Sequence, residues 1–122
     1  MADEGVDTNK IPFQKGNYEG GHIKTIIDGS TGAKNFRLRS FLLAEGGKVP
    51  LHNHPDSEDF IRVVSEALEV WNDAERDYVP AGSAILIMLG EFHAVRNAYL
   101  RKMEYVNIYS SPGSVYSGKT TS

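Results

Sequence analysis

The sequence predicts an all-β domain, a small barrel or sandwich of short strands, and three observations carry that expectation. Its apolar runs are short and are separated by turn signals. Helical periodicity is sustained nowhere along the chain. Two histidines one residue apart, His52 and His54, stand where the alternation of side chains along a strand aims both at one point.

The expected strands follow in order from the punctuation between them. Strand 22–27 stops at Asp28-Gly29, and strand 36–44 stops before Gly46-Gly47. Strands 51–54 and 59–65 flank an acidic loop, and 67–71 is separated from 76–79 by Asn72-Asp73. Pro80-Ala81-Gly82 leads into strand 84–88, Leu89-Gly90 precedes 93–97, and the last strand is 101–109. Proline and glycine mark these boundaries because they supply the dihedral angles of tight turns. Residues 1–20 are polar and glycine-rich and read as an arm, partly disordered or dimer-contacting; 21–111 form one barrel; 112–122 read as a flexible tail. Ile11, Pro12, Phe13 and Tyr18 give the arm something to bury across a homodimer.

A chain of 122 residues suffices for one core that buries roughly two thirds of the unfolded surface. Cysteine is absent, which removes disulfides, thiolate ligands and cysteine nucleophiles and leaves His, Asp and Glu as metal ligands. Thirteen Lys and Arg against sixteen Asp and Glu, with no basic run, argue against a nucleic-acid partner. No apolar stretch approaches the ~20 residues of a membrane span, and the acidic Met1-Ala2-Asp3-Glu4 is unlike a secretory leader, so no membrane association and a cytoplasmic location are expected.

The chemistry concentrates in His52, His54, the adjacent carboxylates Glu58 and Asp59, and the later His93. Imidazole nitrogen binds first-row transition metals at about 2.0 to 2.1 Å, and a carboxylate adds a harder anionic donor. Strand phase selects between the carboxylates. An inward Asp59 carries Ile61 and Val63 inside, whereas an inward Glu58 carries Arg62 into the core, which is costly without a partner. Asp59 is therefore the expected ligand, with Glu58 as the alternative, and Glu58, whichever carboxylate binds, is available as a base or orienting group beside the metal. Arg37 and Arg39 share one strand face with Phe41 and Leu43 and can orient an anionic substrate if that face lines the barrel; a solvated face is the expectation. Tyr105, alternating with Met103, Asn107 and Tyr109, belongs to a mixed face suited to a cavity wall.

Gly46 with His52-Asn53-His54 and an acidic residue, followed by Gly82, Met88-Leu89-Gly90, His93 and Asn97, resembles the paired motifs of the cupin superfamily. The two blocks cover residues 46–97. The resemblance implies a jelly-roll barrel (a double-stranded β-helix) holding one divalent transition metal, Fe, Mn, Ni, Co, Cu or Zn, on His52, His54 and His93, with Asn97 structural. The sequence departs from the family pattern at three points. The acid is Asp59, or Glu58 at a shorter spacing, where the family has glutamate. Glu66 stands at a glycine position that tolerates positive φ, so local strain is expected there. Met88 replaces a proline, and packing is its expected role.

A thiolate-free histidine site with open positions suits a metal-dependent enzyme acting on a small-molecule substrate, with a mononuclear non-haem dioxygenase as the first reading. The same site serves a Lewis acid in an isomerase, cyclase, decarboxylase or lyase of sugar-acid or polyketide type. A non-catalytic small-ligand-binding barrel is the third reading. In all three, protons compete with the metal for histidine, and affinity is expected to fall below about pH 6.5.

Overall fold

The computed structural model describes residues 5–111. Short 3-10 turns at Thr8–Lys10 and Gly29–Thr31 accompany ten strands. These are β1 Gln14–Lys15, β2 Gly21–Ile27, β3 Arg37–Leu43, β4 Lys48–His52, β5 Asp59–Val63, β6 Ala67–Trp71, β7 Arg76–Pro80, β8 Ala84–Ile87, β9 His93–Arg96 and β10 Met103–Tyr109. All pairings are antiparallel, in a six-stranded sheet ordered β1-β2-β3-β10-β5-β8 and a four-stranded sheet ordered β4-β9-β6-β7. The strand-rich reading therefore holds, and the two sheets pack face to face as a barrel-like sandwich.

Strict alternation builds the core. Along β10, Met103, Tyr105, Asn107 and Tyr109 are buried while the residues between them are half-exposed. β5 shows the same period, with Asp59, Ile61 and Val63 inward. Phe41, Leu43, Ile61, Val63, Leu68 and Met103 are almost completely enclosed, and each such side chain contributes about 1.5–3 kcal/mol through removal from water.

Three local features hold the frame. Asn97 is wholly buried, and its amide donates to the carbonyls of Leu43 (3.0 Å), Ala44 (3.2 Å) and Arg101 (2.8 Å) while its oxygen accepts from the Tyr99 N–H. The structural role expected of Asn97 is thus that of a backbone clasp joining three segments. Glu66 has φ 58°, the single positive φ outside glycine among the described residues, and its carbonyl accepts from the Ala81 N–H at 2.8 Å. The strain expected at Glu66 is present.

The third feature is the arm, which within the described residues lies on its own barrel. β1 pairs with the β2 edge, Gln14 opposite Ile23. The Tyr18 ring rests on Gly21, where an added Cβ would meet the ring at 2.1 Å, so only glycine admits it. Lys24 donates to the Thr8 carbonyl at 2.7 Å and lies over the Phe13 ring. Residues 1–4 and the expected tail at 112–122 lie outside the described residues. Among the described residues no helix is long and apolar enough to cross a membrane.

Strand β4 differs from its expected bounds. It begins earlier, at Lys48, and contains Pro50, which an edge strand tolerates because it need not donate on its open side. It also ends at His52. His54 is therefore carried by the following loop, and the pair does not arise from two alternate positions of one strand as the spacing suggested.

Candidate metal centre

The three histidines converge all the same. Ring centroids lie 4.9 Å apart for His52 and His54, 4.3 Å for His52 and His93, and 5.5 Å for His54 and His93. One nitrogen from each lies within 4.8 Å of the others. A register shift between Val49 and His52 brings His52 opposite His93 across β4 and β9, while the loop returns His54 to the same mouth.

Backbone carbonyls orient two of the rings. His52 Nδ1 lies 2.6 Å from the Pro50 carbonyl and His93 Nδ1 lies 3.1 Å from the Glu91 carbonyl. A carbonyl only accepts, so each Nδ1 carries the proton and each Nε2 presents a lone pair. Burial, and then the neighbouring His93, push His52 down to about 4. His54 is pushed down to about 3 by burial first, then by His52, His93, Arg37 and Arg39. Neutral imidazole is the form that binds a metal, so this donor set fits a divalent transition ion.

Asp59 stands beside the triad. Its side chain is 2% exposed, with one carboxylate oxygen 3.5 Å from His93 Nε2 and 3.7 Å from His54 Nε2. The other oxygen accepts from the Asn107 amide. Burial pushes the Asp59 carboxyl up, against the opposing influence of His93, Arg37 and Arg39. Glu58, the expected base, is exposed and belongs to the opposite phase of the strand, so the carboxylate facing the histidines is that of Asp59.

Arg37 and Arg39 correct the expectation of a solvated face. Both lie on the inward side of β3: Arg37 is 9% exposed with its guanidinium 4.1 Å from the Tyr109 ring centroid, and Arg39 lies 5.2 Å from that of Phe41. The reason is phase, because Phe41 and Leu43 on the same side are core residues. Tyr105 forms part of the wall as expected, stacked on Phe41 at 4.8 Å and 7°. Met88 does not pack. Its side chain is 57% exposed beyond the end of β8, and its N–H donates to the Glu91 carboxylate.

Two spaces meet at His93. An inner cavity of about 10 Å³ between the sheets touches His52, His93, Asp59, Asn107 and Tyr109. That is about the volume of one water position. A cleft of about 100 Å³ opens between β6–β7 and β8, lined among others by Trp71, Ile85, Ile87, Glu91 and His93. A substrate group larger than water therefore fits the cleft and not the cavity. Asn107, Glu91 and Trp71 were not marked as site residues from the sequence. Asn107 was legible in principle, since it shares the inward phase of Tyr105 and Tyr109.

The match to known proteins agrees with this geometry. A family model described as the cupin domain matches residues 39–109. The chain is 32% identical over 94 residues to a polyketide synthase protein, CurC, of Streptomyces cyaneus; the match spans 75% of this chain and 59% of that protein's length. The fold is similar to the polyketide cyclase RemF of Streptomyces resistomycificus, with TM-score 0.76, 21% identity, and coverage of 87% of this chain and 78% of that one. It is also similar to a predicted oxalate decarboxylase of Thermotoga maritima, with TM-score 0.78, 17% identity, and coverage of 88% and 99%. At such identities the solved structures speak to fold alone, and it is the family model, matched over more than half the sequence and across all three histidines, that decides membership: the chain belongs to the cupin family.

Proposed function

We propose that the protein is a metal-dependent enzyme of the cyclase type, acting on a small poly-β-carbonyl compound without consuming dioxygen. The observation that carries this reading is the convergence of His52, His54 and His93, one nitrogen from each within 4.8 Å, next to the buried carboxylate of Asp59. The likeness to a polyketide synthase protein and to a polyketide cyclase favours cyclisation over the dioxygenase reading. A metal held by the three histidines, with Asp59 as the fourth donor, supplies Lewis acidity that polarises a carbonyl and acidifies the adjacent C–H.

The remaining roles belong to the chain. The Pro50 and Glu91 carbonyls fix the tautomers of His52 and His93. Asn107 holds one Asp59 oxygen and turns the other toward the histidines. Arg37 and Arg39, two guanidiniums on the inward side of β3, act on the site's own groups: their positive charge keeps His54 neutral and favours the carboxylate form of Asp59. The apolar flank of the cleft, Trp71, Ile85 and Ile87, seats the substrate body, and Glu91 at its rim faces the same space.

The test is turnover of a 3,5-dioxohexanoyl thioester by protein loaded in turn with Zn, Ni, Co and Fe(II), under nitrogen and under air. The expected result is the same cyclised product at the same rate in both atmospheres, lost in His93→Ala. Stoichiometric oxygen uptake with an oxygenated product would reverse the reading in favour of a dioxygenase.

A further inference from the structure

The turn between β8 and β9 touches the chain beside every histidine of the triad. From Met88 to Glu91 it is tight: the Glu91 N–H donates to the Met88 carbonyl at 3.0 Å, and Gly90 takes φ 74° at the position where such a turn favours glycine. The Gly90 N–H donates to the His54 carbonyl at 3.1 Å. The Asn53 amide, between His52 and His54, donates to the Gly90 carbonyl at 3.4 Å. The Glu91 carbonyl accepts from His93 Nδ1 at 3.1 Å.

The Glu91 side chain holds that turn from within and from across. One carboxylate oxygen accepts from the Met88 N–H at 3.0 Å, and the other accepts from the Asn72 amide at 3.1 Å. Asn72 follows β6 at the hairpin turn into β7, in the four-stranded sheet. Its own oxygen is committed to that hairpin, accepting from the Ala74 N–H (2.9 Å) and the Glu75 N–H (2.8 Å). The polarity across the gap is therefore fixed: position 72 donates and position 91 accepts. Both residues are half-buried and both line the cleft that opens at His93.

We infer that Glu91 is a positioning residue of the metal centre. With Asn72 it forms a strut in the cleft wall that holds the 88–91 turn, and through that turn the His54 loop and the His93 ring, in the arrangement that binds a metal. The inference rests on the metal-centre reading and on no particular reaction. A hydrogen bond to a carboxylate is stronger than one between neutral groups, which suits a contact at the edge of solvent. Residues that orient ligands from outside typically carry a 10–100-fold effect on metal affinity. The wall that a substrate body meets and the support of His93 are thus one structure.

The experiment exchanges the two partners in the full chain. Glu91→Gln sets amide against amide, and Asn72→Asp sets carboxylate against carboxylate. The double variant Asn72→Asp/Glu91→Gln restores one donor and one acceptor at unchanged net charge, and the new acid at position 72 still offers an oxygen to the Ala74 and Glu75 N–H groups. Cobalt(II) affinity is measured by chelator competition together with the visible spectrum of the bound ion, and the His93 tautomer is measured in metal-free protein by nitrogen NMR at neutral pH. Each single variant is expected to bind cobalt about tenfold or more weakly, with an altered spectrum and His93 in both tautomers, while circular dichroism is unchanged. The double variant is expected to recover wild-type affinity, spectrum and the Nδ1–H tautomer. Single variants that match wild type, or a double variant no better than the weaker single, would each overturn the inference. A wild type that held no cobalt would defeat the metal-centre reading and this inference together, whereas a filled wild-type site with indifferent variants would defeat the inference alone.

Discussion

The two ends of the barrel interior are built on the same strands and do opposite things. Reading inward positions along β3, Leu43 and Phe41 give way to Arg39 and Arg37; along β10, Met103 and Tyr105 give way to Asn107 and Tyr109; along β5, Val63 and Ile61 give way to Asp59. The first end is a dry plug in which Leu43, Val63, Leu68 and Met103 are fully enclosed. The second gathers three imidazoles, a carboxylate and two guanidiniums, of which His54, Asp59, His93 and Arg37 are buried and His52 and Arg39 half-buried. Alternation alone sets which side chains point inward; residue type along the strand then decides whether that interior stabilises the fold or does chemistry. Polar groups at the second end cost free energy unless paired, so ligand binding there should return stability that the plug end already has.

The largest expected effect is at the metal. His93→Ala removes a donor shared by the cavity and the cleft, and metal content by elemental analysis should fall from near one equivalent per chain to near zero. Chelating the metal from wild type should lower stability by about 4 kcal/mol if it circulates at about a thousand times its dissociation constant. The complementary change, Leu43→Ala, should cost about 2–5 kcal/mol in urea denaturation while leaving metal stoichiometry intact. If Leu43→Ala emptied the site or His93→Ala left it filled, the two ends would not be separable.

Acid sharpens the contrast further. His52 and His54 titrate near 4 and 3 in the folded chain and near 6.5 when unfolded, so between those values the unfolded state binds protons that the native state refuses. Metal-free stability is then full above about pH 6.5 and declines as pH falls toward 4. Asp59, pushed up by burial, acts in the opposite sense and offsets part of the loss. Together the two histidines set a decline from pH 7 to pH 5 of up to about 4 kcal/mol by urea titration, reduced by the share that Asp59 returns, and His54→Ala should remove about half of the histidine part. The apo protein thus keeps its histidines neutral to lower pH than a solvent-exposed triad would, and metal competition by protons moves down with them.

The plug was legible because hydrophobic alternation is a property of single strands: Asp59, Ile61 and Val63 declare their common phase without reference to anything distant. The metal triad was legible through spacing, although the reason first assigned to it was only partly right. His52 closes β4 while His54 rides the loop, and a two-residue spacing does not distinguish a strand from a strand end. The arginines were misread because a guanidinium at an inward position looks, in one dimension, like the end of a buried face. What encloses Arg37 is Tyr109, a neighbour on a strand remote in sequence. The cleft at His93 was invisible for the same reason, since Trp71 and Ile85 meet only across the gap between two sheets.

The smallest effect concerns the turn that links β5 to β6. Glu66 holds φ 58°, where a side chain costs about 1 kcal/mol or more and glycine costs less. Its one charged contact, with Arg101 at 3.2 Å, involves a guanidinium 83% exposed and is worth little in water. Glu66→Gly should therefore raise stability by about 0.5–1 kcal/mol, a modest gain because glycine also frees the unfolded chain. Since the turn joins the two sheets next to Val63 and Leu68, at the plug end and away from the histidines, metal content and pH response should not change. A gain in stability confined to the fold would show that the strain at Glu66 is local. A loss of metal alongside it would mean that the turn sets the spacing of the sheets at both ends.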